Sequence, residues 1–494
     1  MIEEADFLAD KDKNAYGPCR MRSGLFIPPL RKLIMHSRFH SHEIASSESA
    51  FDMRKPTIGT DDAPQKIPSS QSSLFVSVIA TLFAITAGTA TANSFASPRD
   101  STKRIEATQP RTETKNFFTW GALENFYEGL DARRAETFKS TGLKVGAFHS
   151  TLFQYATRSL PDQDKYGVAT ITGLYGTWDA VEIGDASAGQ ISFGLEARWG
   201  YGNTLTPSEL GIAGIGSAIG TADPYGATTP TLVLRELFWR QGSEEKGWNY
   251  RIGKITPDRL LTASDYIDPV SLGLPVGSQG ASAIAFPDSG LGFAAGWFPS
   301  KRYRVGIVVS DAAGDRTDLG DVGQGNFFKG IEFQAQLFPL TEKAGYSSLA
   351  IWHTDGTDDP SDALDSSTGE DGWGFFAKYE QELTRDGKNI FIARYGKSYD
   401  DAAVYKEQGS IRYVRIDPPD PFGLSDDRFG IAASFVDPLL NPLDRDEWGI
   451  DAFYRFNLFE RVEASFGYQA IFDPSFNPDD DTISVFSFRI SQFF

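Results

Sequence analysis

Between residues 143 and 494 the chain is written as short segments in which apolar and polar residues alternate one for one. In the stretch 190–200, Ile191, Phe193, Leu195, Ala197 and Trp199 fall on one face, and Ser192, Gly194, Glu196 and Arg198 on the other. Residues 302–310 repeat the rule, with Tyr303, Val305, Ile307 and Val309 against Arg302, Arg304, Gly306 and Ser310. So do 330–338 (Ile331, Phe333, Ala335, Leu337 against Glu332, Gln334, Gln336) and 462–470. A period of two is the signature of a β-strand with two different faces. The pattern predicts about 16 strands, beginning near 143, 168, 190, 231, 248, 290, 302, 329, 346, 372, 388, 409, 427, 447, 460 and 482. Alternation is poor in 168–182 and 231–240, so register there stays open. Very short spacers, such as Pro299-Ser300-Lys301 and Asn457-Leu458-Phe459, contrast with long ones.

One face of these strands is continuously greasy and the other is charged, which suits oil on one side and water on the other. Lipid offers backbone groups no hydrogen-bond partner, so a sheet in a membrane must close on itself. The expected fold is therefore all-β: a transmembrane antiparallel up-and-down β-barrel of about 16 strands with a short N-terminal helix. Aromatic residues recur near strand ends (Trp199, Tyr201, Trp239, Trp248, Tyr250, Trp297, Phe298, Trp373, Trp448), as interfacial girdles require. The last segment places Phe486, Phe488, Ile490 and the terminal Phe494 on one face, with Gln492 interrupting the row. A terminal aromatic on an alternating last strand is the feature recognised by outer-membrane assembly machinery.

Upstream, residues 74–89 form an apolar run too short for a comfortable membrane helix, followed by the small triplet Ala90-Thr91-Ala92. This reads as a signal h-region with cleavage after Ala92, and Met53 is a more natural start than Met1. Residues 1–92 are thus assigned to an extension and cleavable signal peptide, 93–142 to a periplasmic segment, and 143–494 to the barrel. The stretch 121–142 has helical character, with Leu123, Phe126, Leu130 and Phe138 as its apolar positions. Two roles stand for it: plugging or bracing the periplasmic mouth, or covering a surface. The expected location is the outer membrane of a Gram-negative bacterium.

A formal charge of −19 argues against a nucleic-acid partner, which calls for clustered Lys and Arg. Cys19 precedes the cleavage site, so the mature chain has no thiol for a disulfide or a zinc site. Catalysis finds little footing, since the mature chain has only His149 and His353 and no nucleophile-elbow or phosphate-loop motif in context. No cofactor and no metal is expected. Acidic loops occur at 311–321, 354–371 and 473–481. The spacing of Asp355, Asp358, Asp359 and Asp362 does not match a calcium loop, and a solvated loop accounts for them.

The chain resembles the carbohydrate-selective porins of Gram-negative outer membranes over roughly 140–494. The resemblance is carried by Tyr250-Arg251-Ile252-Gly253-Lys254-Ile255, by 290–299 (GLGFAAGWFP), by Asp426-Asp427-Arg428-Phe429-Gly430, and by 448–494 with Tyr454-Arg455, Gln469, Pro474 and Asn477-Pro478. It implies a 16-stranded barrel built by one chain, standing alone or packed as homotrimers, that passes monosaccharides or short oligosaccharides by facilitated diffusion. Expected partners are carbohydrate solutes, outer-membrane lipid, lipopolysaccharide and the assembly machinery.

A sugar-selective constriction needs charged groups that meet hydroxyls and flat aromatic surface along which a sugar face slides. Strand parity turns Glu196, Arg198, Arg251, Arg304, Glu332, Arg394 and Glu463 inward. Trp352 is either a sugar-stacking platform or a girdle residue. The segment 256–289, rich in Pro, Gly and Ser, is either the constriction loop or an ordinary surface loop. Two other functions compete: a barrel hydrolase using His149 or His353, and a secreted all-β glycan-binding protein.

Overall fold

The computed structural model of the protein describes residues 115–494, apart from 203, 223–224, 227–229, 265, 268–275, 301, 321, 337–344, 358–365 and 420–422. The run 74–89, the whole 1–92 extension and Asp358, Asp359 and Asp362 lie outside the described residues.

The first eight strands are β1 (Leu143–Ala156), β2 (Tyr166–Asp179), β3 (Gln190–Gly200), β4 (Thr231–Ser243), β5 (Trp248–Ile255), β6 (Gly290–Ser300), β7 (Tyr303–Asp311) and β8 (Phe327–Ala335). Then come β9 (Gly345–Thr354), β10 (Gly372–Glu382), β11 (Asn389–Tyr399), β12 (Tyr405–Ile416), β13 (Arg428–Pro438), β14 (Glu447–Phe459), β15 (Val462–Phe472) and β16 (Thr482–Phe493). Each pairs antiparallel with the next, and β1 pairs with β16 from Phe148↔Phe493 to Ala156↔Val485, closing the barrel. Closure satisfies every ladder and leaves no free edge.

The alternation places these strands within a few residues. The largest displacement is at β12, expected near 409 and found from Tyr405, because a register shift between Tyr405 and Glu407 breaks the period. The turn expected at 457–459 moves as well: β14 runs through Phe459, and Arg461, with a φ of 55°, makes the tight reversal into β15.

Outward rows are apolar and exposed, as at Leu349 and Ile351 on β9 and Phe486, Phe488 and Ile490 on β16. Inward rows are polar and buried, as at Lys378 and Glu380 on β10, Arg394 on β11 and Arg412 on β12. Such a surface is stable against hydrocarbon, where the outward side chains lose nothing to water. Among the described residues no helix is long and apolar enough to cross a membrane.

The two poorly alternating strands have separate causes. In β4, Leu234 pairs with Leu195 and Glu236 with Gly194, so Arg235 is an extra residue that shifts the phase. In the middle of β1 and β2 part of each face has its polarity exchanged. Phe148, Leu152, Ala169 and Ile171 face inward and pack with Ala222 and Tyr225 of the segment between β3 and β4. The outward row carries His149, Thr151, Thr170 and Thr172, joined by His149 Nδ1 to Thr172 Oγ1 (2.8 Å), Thr151 to Thr170 (2.8 Å) and Thr170 to the Tyr201 hydroxyl (2.7 Å).

Helix α1 (Gly121–Thr141) ends at Gly142, whose φ of 73° is left-handed and whose N–H bonds Phe138 O at 2.8 Å. It braces the rim at β15, β16 and β1. Asp131 pairs with Arg461, the Arg461 guanidinium lies 4.9 Å over the Tyr127 ring, and Gln492 donates to the Tyr127 hydroxyl at 3.1 Å. That last bond explains the polar Gln492 in an otherwise greasy outward row.

Candidate functional site

The tightest connections (244–247, 460–461) lie at the end bearing α1, whereas the longest, 201–230, 256–289, 312–326 and 355–371, lie at the other end. Two of the long ones turn into the barrel. Inward side chains of five strands hold the described part of 256–289. Glu332 on β8 accepts from Thr262 N (3.3 Å), Glu380 on β10 accepts from Ser264 Oγ (2.6 Å), and Lys378 donates to Ala263 O. Arg394 on β11 donates to Gln279 O; Gln408 on β12 donates to Gly277 O (2.8 Å) and accepts from Ala283 N (3.2 Å). Arg412 donates to Ser278 Oγ (2.8 Å) and faces Asp451 on β14 at 3.8 Å. Wall side chains thus satisfy loop backbone groups that would otherwise be orphaned indoors.

The segment 201–230 is fastened the same way. Glu447 on β14 accepts from Ser217 Oγ (2.8 Å), Ala218 N (2.7 Å) and Ile219 N (3.0 Å). Gln154 and Gln469 donate to Thr221 O at 3.0 and 2.7 Å. The two inward segments touch where Gly277 N–H bonds Ile219 O at 3.0 Å. A Cβ at Gly277 would lie 2.3 Å from Ile219 Cγ1, so only glycine permits this approach.

A charged cluster sits where 256–289 and 312–326 meet β3 and β4. Glu196 takes Arg198 Nε at 3.0 Å, Arg259 at 3.7 Å, Arg235 at 4.0 Å and the Tyr175 hydroxyl. Arg259 also pairs with Glu236 at 3.0 Å, while Asp288 holds Arg316 at 2.8 Å and Arg235 at 3.5 Å. The β4 bulge is what aims Arg235 into this group. Burial opposes the charge of Asp288, but Arg235 and Arg316 outweigh it and hold that carboxyl below the ordinary carboxylate range. Guanidinium donors and carboxylate acceptors side by side match a solute whose hydroxyls both donate and accept.

The residues singled out from the sequence separate into distinct places. Glu196 and Arg198 belong to this cluster, and Glu332 and Arg394 strap the inward loop to the wall. Arg251 and Arg304 lie nearer the short-turn end, over Phe238 and Phe298 respectively. Phe298, grouped above with the girdle, therefore points inward. Glu463 pairs with Arg455. Trp352 is neither platform nor girdle: it is 1% exposed, stacked on Phe328 and packed in a cluster with Phe286 of the inward loop. Sequence parity missed Arg235, because of the bulge, and Arg259, Asp288 and Arg316, because they lie outside strands.

Neither histidine faces the lumen. His149 is on the outward row of β1, and His353 on that of β9, where Asp355 and Asp371 lie 3.5 and 3.8 Å from its ring nitrogens. Lys329 already binds Asp355 at 2.7 Å.

Neither a protein-family model nor a curated protein sequence matches the chain. Among solved structures it is similar to OprB of Pseudomonas putida at high pH, with 14% identity over 74% of this chain and 97% of that one and a TM-score of 0.59. The low-pH OprB structure gives 11% identity, 74% and 96% coverage and a TM-score of 0.46. A triple mutant of Rhodopseudomonas blastica porin gives 10%, 71% and 100% and 0.40. At such identity the likeness to OprB is one of fold, the closed sixteen-stranded antiparallel barrel.

Proposed function

We propose that the protein is an outer-membrane porin through which carbohydrates and other small hydrophilic solutes diffuse passively. The observation that carries the reading is the Glu196–Arg198–Arg235–Arg259 cluster, which joins the wall strands β3 and β4 to the inward segment 256–289. A solute crossing there exchanges water for fixed donors and acceptors, so passage is selective without any chemical step. The OprB fold supports the same reading. Export would proceed through the signal at 74–92, and insertion through the strand ending at Phe494. Outer-membrane lipid would surround the outward rows, and lipopolysaccharide the rim at the long loops.

The assembly we propose is a homotrimer joined through the outward polar row of β1 and β2. Hydroxyls and an imidazole turned toward hydrocarbon are costly, and a second copy covering them removes that cost. His149→Leu would then leave the barrel folded but shift it toward monomers on native gels.

Planar-bilayer conductance tests the function. Discrete channels whose current falls on adding sugar are expected, and a folded barrel that gives no channel at all would overturn it.

A further inference from the structure

Just ahead of α1 the chain lies against the outer side of the barrel wall. Phe117 N and Phe118 N donate to Asn457 O and Leu458 O, both at 2.9 Å, which ties the segment to the end of β14. Lys115 N donates to Ser425 Oγ at 2.7 Å, and Ser425 N donates to Lys115 O at 3.3 Å, which ties it to the connection leading into β13. The Phe117 ring lies 5.9 Å from Phe456, on the outward row of β14. Phe456 lies 6.3 Å from Phe466 on β15, and Phe466 lies 5.1 Å from Phe488 on β16. A ladder of rings thus passes from this segment onto the outward rows of three strands. Phe118 and Trp120 lie 5.5 and 6.4 Å from the Phe459 ring. Even so, Phe118 is 50% exposed and Trp120 60%.

We propose that Phe117, Phe118 and Trp120 anchor the segment ahead of α1 in the headgroup zone of the membrane, with phospholipid covering their exposed faces. The ring ladder is what chooses lipid, because it makes these three side chains one surface with rows that already face hydrocarbon. Neighbouring large rings turned to bulk water are costly. At the headgroup level an apolar ring body and a polar indole N–H are both satisfied. The membrane-facing surface therefore extends to chain outside the sheet. Helix α1 is then held at two points, by lipid at its start and by the Asp131–Arg461 pair at the rim. The inference rests on the barrel lying in lipid and not on which solutes cross it.

The test uses the full chain folded into phosphatidylcholine vesicles, plain or with bromine on the acyl chains near the headgroup, and reads tryptophan emission. The part due to Trp120 is the difference between wild type and Trp120→Phe. The part due to Trp373, exposed on the outward row of β10, comes likewise from Trp373→Phe and is the reference. Brominated lipid is expected to quench both, and iodide in the water to reach Trp120 weakly. If Trp373 is quenched by the lipid while Trp120 is quenched by iodide alone, the ring stands in water and the anchor is refuted. Quenching of Trp120 by neither probe assigns the surface to a protein partner, a second copy included, and refutes it as well. With Phe117→Ser and Phe118→Ser together, Trp120 emission should move to the red and lose lipid quenching while the barrel keeps its folded mobility on gels. An unchanged Trp120 signal in that variant overturns the joint role of the three rings. If Trp373 escapes the brominated lipid, the barrel does not lie in the membrane and the anchor falls with that placement.

Discussion

Around Glu196, arginines from β3, β4 and the inward segments sit against Glu196, Glu236 and Asp288. Toward the short-turn end, Arg240, Arg251 and Arg304 rest on β-strands and aromatic rings, and the nearby Glu236 is committed to Arg259. The first group is cross-linked: each guanidinium is held in place by a carboxylate, and the carboxylates lie on different parts of the chain. In the second, Arg251 and Arg304 lie over the Phe238 and Phe298 rings. Charge in the first group therefore organises the lumen through carboxylates brought together by the fold, whereas at Arg251 the nearby carboxylate is already taken.

The largest expected contrast is in stability. Glu196→Gln strands Arg198, Arg235 and Arg259 without their shared counter-charge and should cost roughly 3 kcal/mol, read as a lower unfolding temperature of the detergent-folded barrel. Arg251→Gln should cost less than about 0.5 kcal/mol in the same assay. Equal losses would break the comparison.

Next comes the loop that carries Arg259 and Asp288. Replacing Arg394 and Arg412 with Ala removes two charged tethers of this loop, at about 1.5–3 kcal/mol each. Single-channel conductance should rise and lose its sugar dependence. Gly277→Val, which pushes against Ile219, should cost about 1–3 kcal/mol and disturb sugar block in the same direction, as liposome swelling would report.

The smallest effect is with pH. The folded-state pKa of Asp288 is depressed, so its contribution is fully present above the ordinary carboxylate range and is lost as pH falls through the lowered value. Sugar block should therefore be flat from neutral into mildly acidic solution and weaken only below the usual aspartate range. Loss of sugar block already near neutral pH would contradict a role for Asp288 in this cluster.

Much of this molecule is legible in its sequence. Alternation such as Ile191 to Trp199 is a local property with a period of two, and it fixes which side chains share a face wherever no bulge intervenes. Arg198, Arg251, Glu332 and Arg394 could be turned inward on that basis alone. Arg235 could not, because one extra residue in β4 shifts the phase, and β1 and β2 obscured their own faces by burying Phe148 and Ile171 inside.

What the sequence by itself determined is a closed barrel with oil outside and water within, because each strand states its two environments residue by residue. Only the tertiary structure decided that 201–230 and 256–289 turn inward, that Trp352 is packed rather than open, and which arginines meet a carboxylate. Those outcomes depend on contacts such as Ser217 to Glu447 and Ser278 to Arg412, between residues far apart in the chain. No short-range pattern encodes them, since a loop goes where distant walls satisfy its backbone.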